Sequence, residues 1–472
     1  MSLNLRDFAA FGTAATLLFI LPISLPGGFF ALPKLLVTAL WLTVLAATLF
    51  LARKNLELSI SRPVVALSTA YIGWIALANL SFSPYRAFTL VGWPNWYTGL
   101  TQTVLIVGIF ILVSMIQKDD SSDVPFYMHI FFITSLIITI ISVLERIGFN
   151  PLIGSEWFVI PDLQKEVSAF YPIATVGNSG WIGGFWLLML ALPLILIRYR
   201  WLFLLWSLTN AIGIATTNNK TALYLALIYQ VGILGWISFK KRDRIIGLTI
   251  IISFLVLIIG SSALTKINIL LFKTGVVSRV TSVAKSDASA GGSSLQGRII
   301  IWRGTLRLAG ERPLTGWGLD TLQMNFFRSL SHKEYIDLMK PVLGLKLDET
   351  AKSLGFLHMV YGPDMEFKRM KFFIMVKPHN AILEELYSHG VVSLLILILL
   401  LGYCGQIIIK WGGYKEKILL TACTLYGIYL LAWFTTIAVT PIAAVLLGFA
   451  IAGSYSKHSP VGYALGRDLT IE

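Results

Sequence analysis

Two short runs of residues carry the types and spacings that could do chemistry. The first holds Gly297, Arg298, Trp302, Arg303, Arg307 and Gly310, followed by Glu311, Pro313, Gly316 and Gly318. It reads as a helix stopped by a Gly/Pro turn. At about 100° per residue, Arg298, Trp302, Leu306 and Ala309 share one face, while Arg303 and Arg307 point elsewhere. An arginine on an apolar face is costly unless it snorkels, meets a carboxylate or binds an anion. The second run is Lys377, Pro378, His379 and Asn380, then Glu384, Glu385, His389 and Gly390, leading directly into an apolar stretch. His379 therefore stands at a boundary. An imidazole there can take a proton from a hydroxyl near neutral pH, or can be purely structural. Asn380 is suited to cap the helix that follows, and the histidines at 129, 332, 358, 389 and 458 have no comparable setting.

The elements that must position these residues are set by composition. Of 472 residues, 56% are hydrophobic and 13% charged, and mean hydropathy is +0.76. Soluble proteins carry about a quarter charged residues, so lipid is the expected solvent for most of this chain. The formal charge of +14 must then be divided between two sides of a membrane before it says anything about partners. Cys404 and Cys423 fall in apolar runs and suggest neither a disulfide framework nor a thiolate metal site.

About twelve windows have the roughly 20 apolar residues that a span requires. They lie near 8–31, 33–52, 63–82, 99–117, 124–144, 179–197, 201–216, 221–239, 245–264, 387–409, 418–435 and 437–455. The N-terminal one is read as a first span, not a removed signal. Alternate junctions carry Arg53, Lys54, Arg62, Lys118, Arg198, Arg200, Lys240, Lys241, Arg242, Arg244, Lys410, Lys415 and Lys417. The positive-inside rule then places both termini in the cytoplasm. The expected organisation is a bundle of about nine spans over 1–265, a large external loop over 266–380, about three spans over 381–456 and a cytoplasmic tail over 457–472.

Two shorter external segments run from Ser83 to Tyr97 and from Arg146 to Asn178, with Trp93, Trp96, Tyr97, Trp157 and Tyr171 as interfacial aromatics. Ser286 to Ser294 reads as a flexible linker. Between Lys266 and Asn380 there are 17 Lys/Arg against 9 Asp/Glu, which leaves the loop at +8. A basic surface held against the outer leaflet implies an anionic partner, either phospholipid headgroups or a lipid-linked phosphate. No external Asp-x-Asp sequence or His/carboxylate cluster has metal-ligand spacing, so cationic side chains are expected in place of a divalent ion.

Together the two runs resemble the O-antigen ligase and O-antigen polymerase family of bacterial membrane glycosyltransferases, which use undecaprenyl-diphosphate-linked glycans. Gly297, Arg298, Trp302, Pro313, Gly316 and Gly318 look like its loop helix and Pro-x-x-Gly-x-Gly turn, and His379, Asn380 and Gly390 like its His-Asn helix start. Gly177 and Asn178 are similar to the family's Gly-Asn-Pro-Asn turn, with Ser179 and Gly180 replacing Pro-Asn. The family's Ser-Arg-Gly-Ala span start is here Asn219, Lys220, Thr221 and Ala222, so a lysine stands where an arginine is usual and lacks its bidentate fork.

The resemblance implies an all-α, GT-C-like fold in the bacterial cytoplasmic membrane, with the active site outside the cytoplasm and no cofactor. Its partners would be an undecaprenyl-diphosphate glycan donor, a glycan or lipid acceptor and membrane lipids, with no nucleic acid. His379 would serve as general base; Arg298, Lys220 and Arg303 would bind the diphosphate; and Asn178, Trp302, Asn380, Arg86 and Tyr97 would shape the site. Transfer would be inverting and independent of metal. A transporter or flippase of lipid-linked glycans is the alternative, although charges cluster at span ends and no inverted repeat is evident.

Overall fold

The computed structural model describes residues 5–19, 31–52, 61–93, 97–116, 124–147, 174–239, 244–273, 295–346, 348–354, 357–372 and 377–455. The N-terminal residues 1–4, the linker 286–294, Trp96, Trp157, Tyr171 and the tail 457–472 lie outside the described residues.

Every expected apolar window holds a helix. They are α1 (Leu5–Leu18), α2 (Ala31–Ala52), α3 (Arg62–Leu77, continued by a π-turn at Ala78–Phe82), α5 (Leu100–Ser114), α6 (Phe126–Arg146) and α7 (Ser179–Leu190, continued by a 3-10 turn at Leu192–Leu196). Then come α8 (Arg200–Thr216), α9 (Lys220–Phe239), α10 (Arg244–Lys273), α14 (Ala381–Trp411), α15 (Tyr414–Leu430) and α16 (Thr440–Tyr455). A short α4 (Arg86–Val91) follows the π-turn. Among the described residues six helices are long and apolar enough to cross a membrane: Ala31–Leu51, Arg62–Phe82, Phe126–Arg146, Ser179–Leu196, Arg244–Leu264 and Ala381–Trp411. Leu100–Ser114 and Thr440–Tyr455 are apolar but shorter. One continuous apolar core runs through the bundle, with α7 buried nearly all round and Trp186, Trp206 and Phe185 at its centre.

Polar contacts sort the helix termini into two ends. At one, the Arg6 guanidinium donates to Ile116 O (3.1 Å), Ser61 Oγ meets Tyr455 Oη (2.7 Å), and Tyr414 Oη donates to Leu194 O. Arg62, Arg200 and Arg244 begin helices at this end, and Lys410 lies in the last turn of one. At the other end, the buried Lys34 ammonium caps α1 by donating to Thr16 O (3.0 Å), Leu17 O (2.6 Å) and Phe19 O (3.0 Å). Three carbonyls that the helix leaves without partners satisfy an ammonium that apolar surroundings would otherwise not tolerate. Asn178, Lys220 and Asn380 all start or cap helices at this second end.

The polar region that sits on the second end is only partly helical. It contains α11 (Leu295–Glu311), α12 (Leu322–Asn325, continued by a 3-10 turn at Phe326–Ser329) and α13 (His332–Leu343). It also contains an antiparallel sheet in the order β1 (Thr350–Leu354), β2 (Leu357–Tyr361), β3 (Phe367–Phe372), a small addition to a chain that is otherwise helical as expected. The sheet puts Ala351 and Val360 against Tyr335, Met339 and Leu343 of α13, and the Gly362–Met365 turn joins β2 to β3. That alternation spans only five or six residues per strand, interrupted by lysines, and is easily passed over in a helical context.

The turn after α11 is built into α14. Gly390 has φ +75° and breaks α14 there. The break frees the carbonyls of Tyr387 and Ser388, which accept from Trp317 N (2.8 Å) and Gly318 N (2.9 Å), while Val391 N donates to Pro313 O (2.7 Å). Gly316 has φ +65°, and a Cβ on it would stand 2.4 Å from Ser388 C; one on Gly390 would stand 2.1 Å from Leu314 O. Both glycines are required by close backbone approach as well as by left-handed φ.

Candidate functional site

The loop that enters α14 carries the first part of the site. Asn380 caps the helix, its Oδ1 accepting from Leu383 N (3.0 Å), and its Nδ2 reaches across to Leu431 O at the end of α15 (2.8 Å). His379, the residue before the cap, is held at φ +53°. Its Nδ1 lies 3.1 Å from the carbonyl of Lys377. A carbonyl only accepts, so the proton belongs on Nδ1 and Nε2 is the bare nitrogen. The ring stands edge-on to Trp433 (5.1 Å between centroids) and Phe434 (5.4 Å). Burial, and next the charge of Arg298, push its pKa down from 6.5 to about 4.

Arg298 approaches from α11. Its guanidinium is half-buried, Nη1 makes a long 3.4 Å contact with Ala432 O, and Nε is buried with no partner. No described carboxylate pairs with it. Burial lowers its pKa, a sign that the charge is poorly solvated where it stands. The indole nitrogen of Trp433 is likewise buried without an acceptor. Two unsatisfied donors beside one imidazole form a place that an anion with several acceptor oxygens would complete.

Trp302, one turn beyond Arg298, ties α11 to the histidine loop by donating Nε1–H to Pro378 O (3.1 Å). The expected face needs correction by about one residue. The buried side of α11 is Gly297, Ile300, Ile301, Gly304, Thr305, Leu308 and Ala309, and Leu306 is exposed. Gly304 lets Phe326, Ser329 and Leu330 pack closely, which rotates the helix and puts Arg298 and Trp302 on the flank facing the bundle.

The starts of α7 and α9 close the other side. Asn178 caps α7, its Oδ1 accepting from Gly180 N (2.7 Å). Asn219 caps α9 by accepting from Ala222 N (3.0 Å), and its Nδ2 donates to Tyr429 Oη (2.8 Å), which donates on to Gly180 O (2.6 Å). Tyr429 lies near Arg298 and packs against Trp433. Lys220 is therefore one residue from the cluster, exposed and in no described ion pair. The structure thus brings together Arg298, Trp302, His379, Asn380, Asn178 and the start of α9.

Three expected residues stand apart. Arg303 is exposed on another side of α11. Arg86 donates to Ser81 O (3.0 Å) and is exposed. Tyr97 packs with Ala31, Leu35 and Ile437, at the edge of the α15–α16 connection. Conversely, Tyr429, Trp433 and Phe434 join the cluster without having been singled out, and Asn219, quoted only as part of the Lys220 motif, joins it as a cap. An aromatic pair at the end of an apolar window was the available signal, and it reads equally well as span interior.

No protein-family model and no curated protein matches this chain. The likeness to the O-antigen ligase and polymerase family accordingly rests on the motif residues themselves. Of those, the turn glycines and the His-Asn helix start have the structural reasons given above.

Proposed function

We propose that this chain is a membrane glycosyltransferase. It moves a glycan from a polyprenyl diphosphate, undecaprenyl diphosphate in bacteria, to an acceptor hydroxyl at the outer face of the cytoplasmic membrane, as an O-antigen or related surface-polysaccharide polymerase or ligase. The observation that carries this reading is the meeting of an arginine that has no described carboxylate partner and a buried, unsatisfied Nε with a bare imidazole nitrogen at one end of an apolar bundle. In this reading all twelve apolar helices cross the membrane, in a GT-C-like arrangement. The basic helix ends face the cytoplasm and the site faces out.

The chemistry follows from charge. The acceptor oxygen forms a bond to the anomeric carbon on the side opposite the diphosphate, the carbon–oxygen bond to phosphate breaks, and the configuration inverts. The hydroxyl proton goes to His379 Nε2, and the electron pair leaves with the diphosphate, which Arg298 and Lys220 neutralise. An imidazole of pKa about 4 is a weak base. Donor binding acts on the smaller of the two causes: the incoming diphosphate offsets the charge of Arg298 and raises the imidazole's basicity, while burial still holds it down.

The test uses purified protein in nanodiscs with a defined polyprenyl-diphosphate glycan. Release of polyprenyl diphosphate with an inverted product is expected, laddered if the donor also serves as acceptor. Donor that crosses the bilayer with its glycan intact, and no transfer with any acceptor, would instead favour a transporter.

A further inference from the structure

A second charged cluster lies beneath the histidine loop, and nothing in the proposed chemistry uses it. The Lys377 side chain is 3% exposed, and its ammonium meets Asp320 Oδ1 at 2.6 Å and Glu384 Oε1. Asp320 is wholly buried and sits at φ +56°, immediately after the Pro313–Gly318 turn. Its Oδ2 also accepts from Trp93 N (3.0 Å) and Thr98 N (3.2 Å), and its Oδ1 from the Thr98 hydroxyl. One carboxylate therefore ties together three places in the chain: Trp93 with Thr98, the turn after α11, and Lys377, two residues before His379.

Burial opposes the ammonium charge of Lys377, but Asp320 and Glu384 hold its pKa up to about 12, so it stays protonated. Lys377 is also the residue whose carbonyl faces His379 Nδ1. Tying the Lys377 side chain from below restrains the backbone that presents its carbonyl, and with it the ring that donates to that carbonyl. His379 at φ +53° has no Gly-like freedom of its own and needs this external constraint.

We infer that Asp320 and Lys377 are positioning residues for the proposed transfer. They hold the His379 backbone in its left-handed conformation so that Nε2 faces the reacting hydroxyl beside Arg298. The inference rests on the proposed function, and a 1 Å misplacement of a catalytic group can cost about 100-fold in rate. Replacing Asp320 with Asn leaves Lys377 paired with Glu384, so no buried charge is left alone.

The experiment compares wild type with Asp320→Asn in nanodiscs, measuring kcat and donor KM across pH, with His379→Ala alongside. The expected result is a kcat about 10- to 100-fold lower with donor KM within twofold, since Arg298 and Lys220 are untouched. The acid limb of kcat/KM should also move upward as the ring leaves its buried place beside Arg298. The groups around the imidazole in the intact site are Arg298 from α11, Tyr429, Trp433 and Phe434 from the end of α15, and Lys377 and Asn380 on its own segment. If Asp320→Asn does not accumulate, Thr98→Val removes one donor to the same carboxylate and is read the same way. An unchanged kcat and acid limb, or a loss confined to thermal stability, overturns the positioning role. Wild-type activity in His379→Ala overturns the proposed function instead, so the two failures are distinguishable.

Discussion

Arg298 and His379 are neighbours, and a guanidinium beside an imidazole penalises protonation of the ring, adding to the effect of burial. Lysine at 298 keeps a charge but loses the planar fork, so Arg298→Lys should retain more transfer than Arg298→Ala, by about tenfold in kcat/KM with defined donor. For His379, the folded pKa lies below the unfolded one, so between about 4 and 6.5 the unfolded chain binds more protons. Stability therefore rises with pH through that window and is lost as pH falls through it. A pH series of thermal unfolding should show this slope, and His379→Gln should flatten it. The acid limb of wild-type kcat/KM, which reports free enzyme, is expected well below 6.5. At this scale the sequence singled out Arg298 and His379, which the structure brings side by side, and the Asn380 cap. It did not show Lys377 with Asp320, because an ion pair between positions 57 apart leaves no local pattern.

The elements that carry the site are fixed to one another by backbone contacts that side-chain patterns do not reveal. The Pro313–Gly318 turn substitutes for the intrahelical partners that α14 loses at Gly390. Gly390→Ala combines a left-handed φ with a Cβ 2.1 Å from Leu314 O, and should lower stability by about 2 kcal/mol or more in detergent unfolding. Asn380→Ala removes a helix cap and the tie to Leu431, and should lower stability by about 1 kcal/mol while also reducing kcat. The sequence reading found the helices because twenty-residue apolar runs are strong signals. It placed the buried face of α11 one residue off, since Gly304 sets that rotation through contacts with the 326–330 segment. It missed the three-stranded sheet, whose short strands become recognisable only once α13 supplies the surface they pack on.

Taken as a whole, the molecule places Arg62, Arg200, Arg244 and Lys410 at the end opposite Arg298 and His379. Cysteine accessibility tests the orientation: Leu314→Cys, exposed beside the turn, should react with an impermeant maleimide on intact cells, whereas Trp201→Cys at the opposite end should react only after permeabilisation. Labelling in the reverse pattern contradicts the proposed orientation. Neutralisation of the diphosphate by side chains predicts that EDTA leaves the rate within twofold; a loss restored by a divalent ion would require a metal. The most direct measurement is glycan transfer from a purified polyprenyl-diphosphate donor by Arg298→Ala and His379→Ala, each confirmed to express and fold. Both should lose about 100-fold or more in kcat/KM. Wild-type rates in both would contradict the assignment of this site to glycosyl transfer.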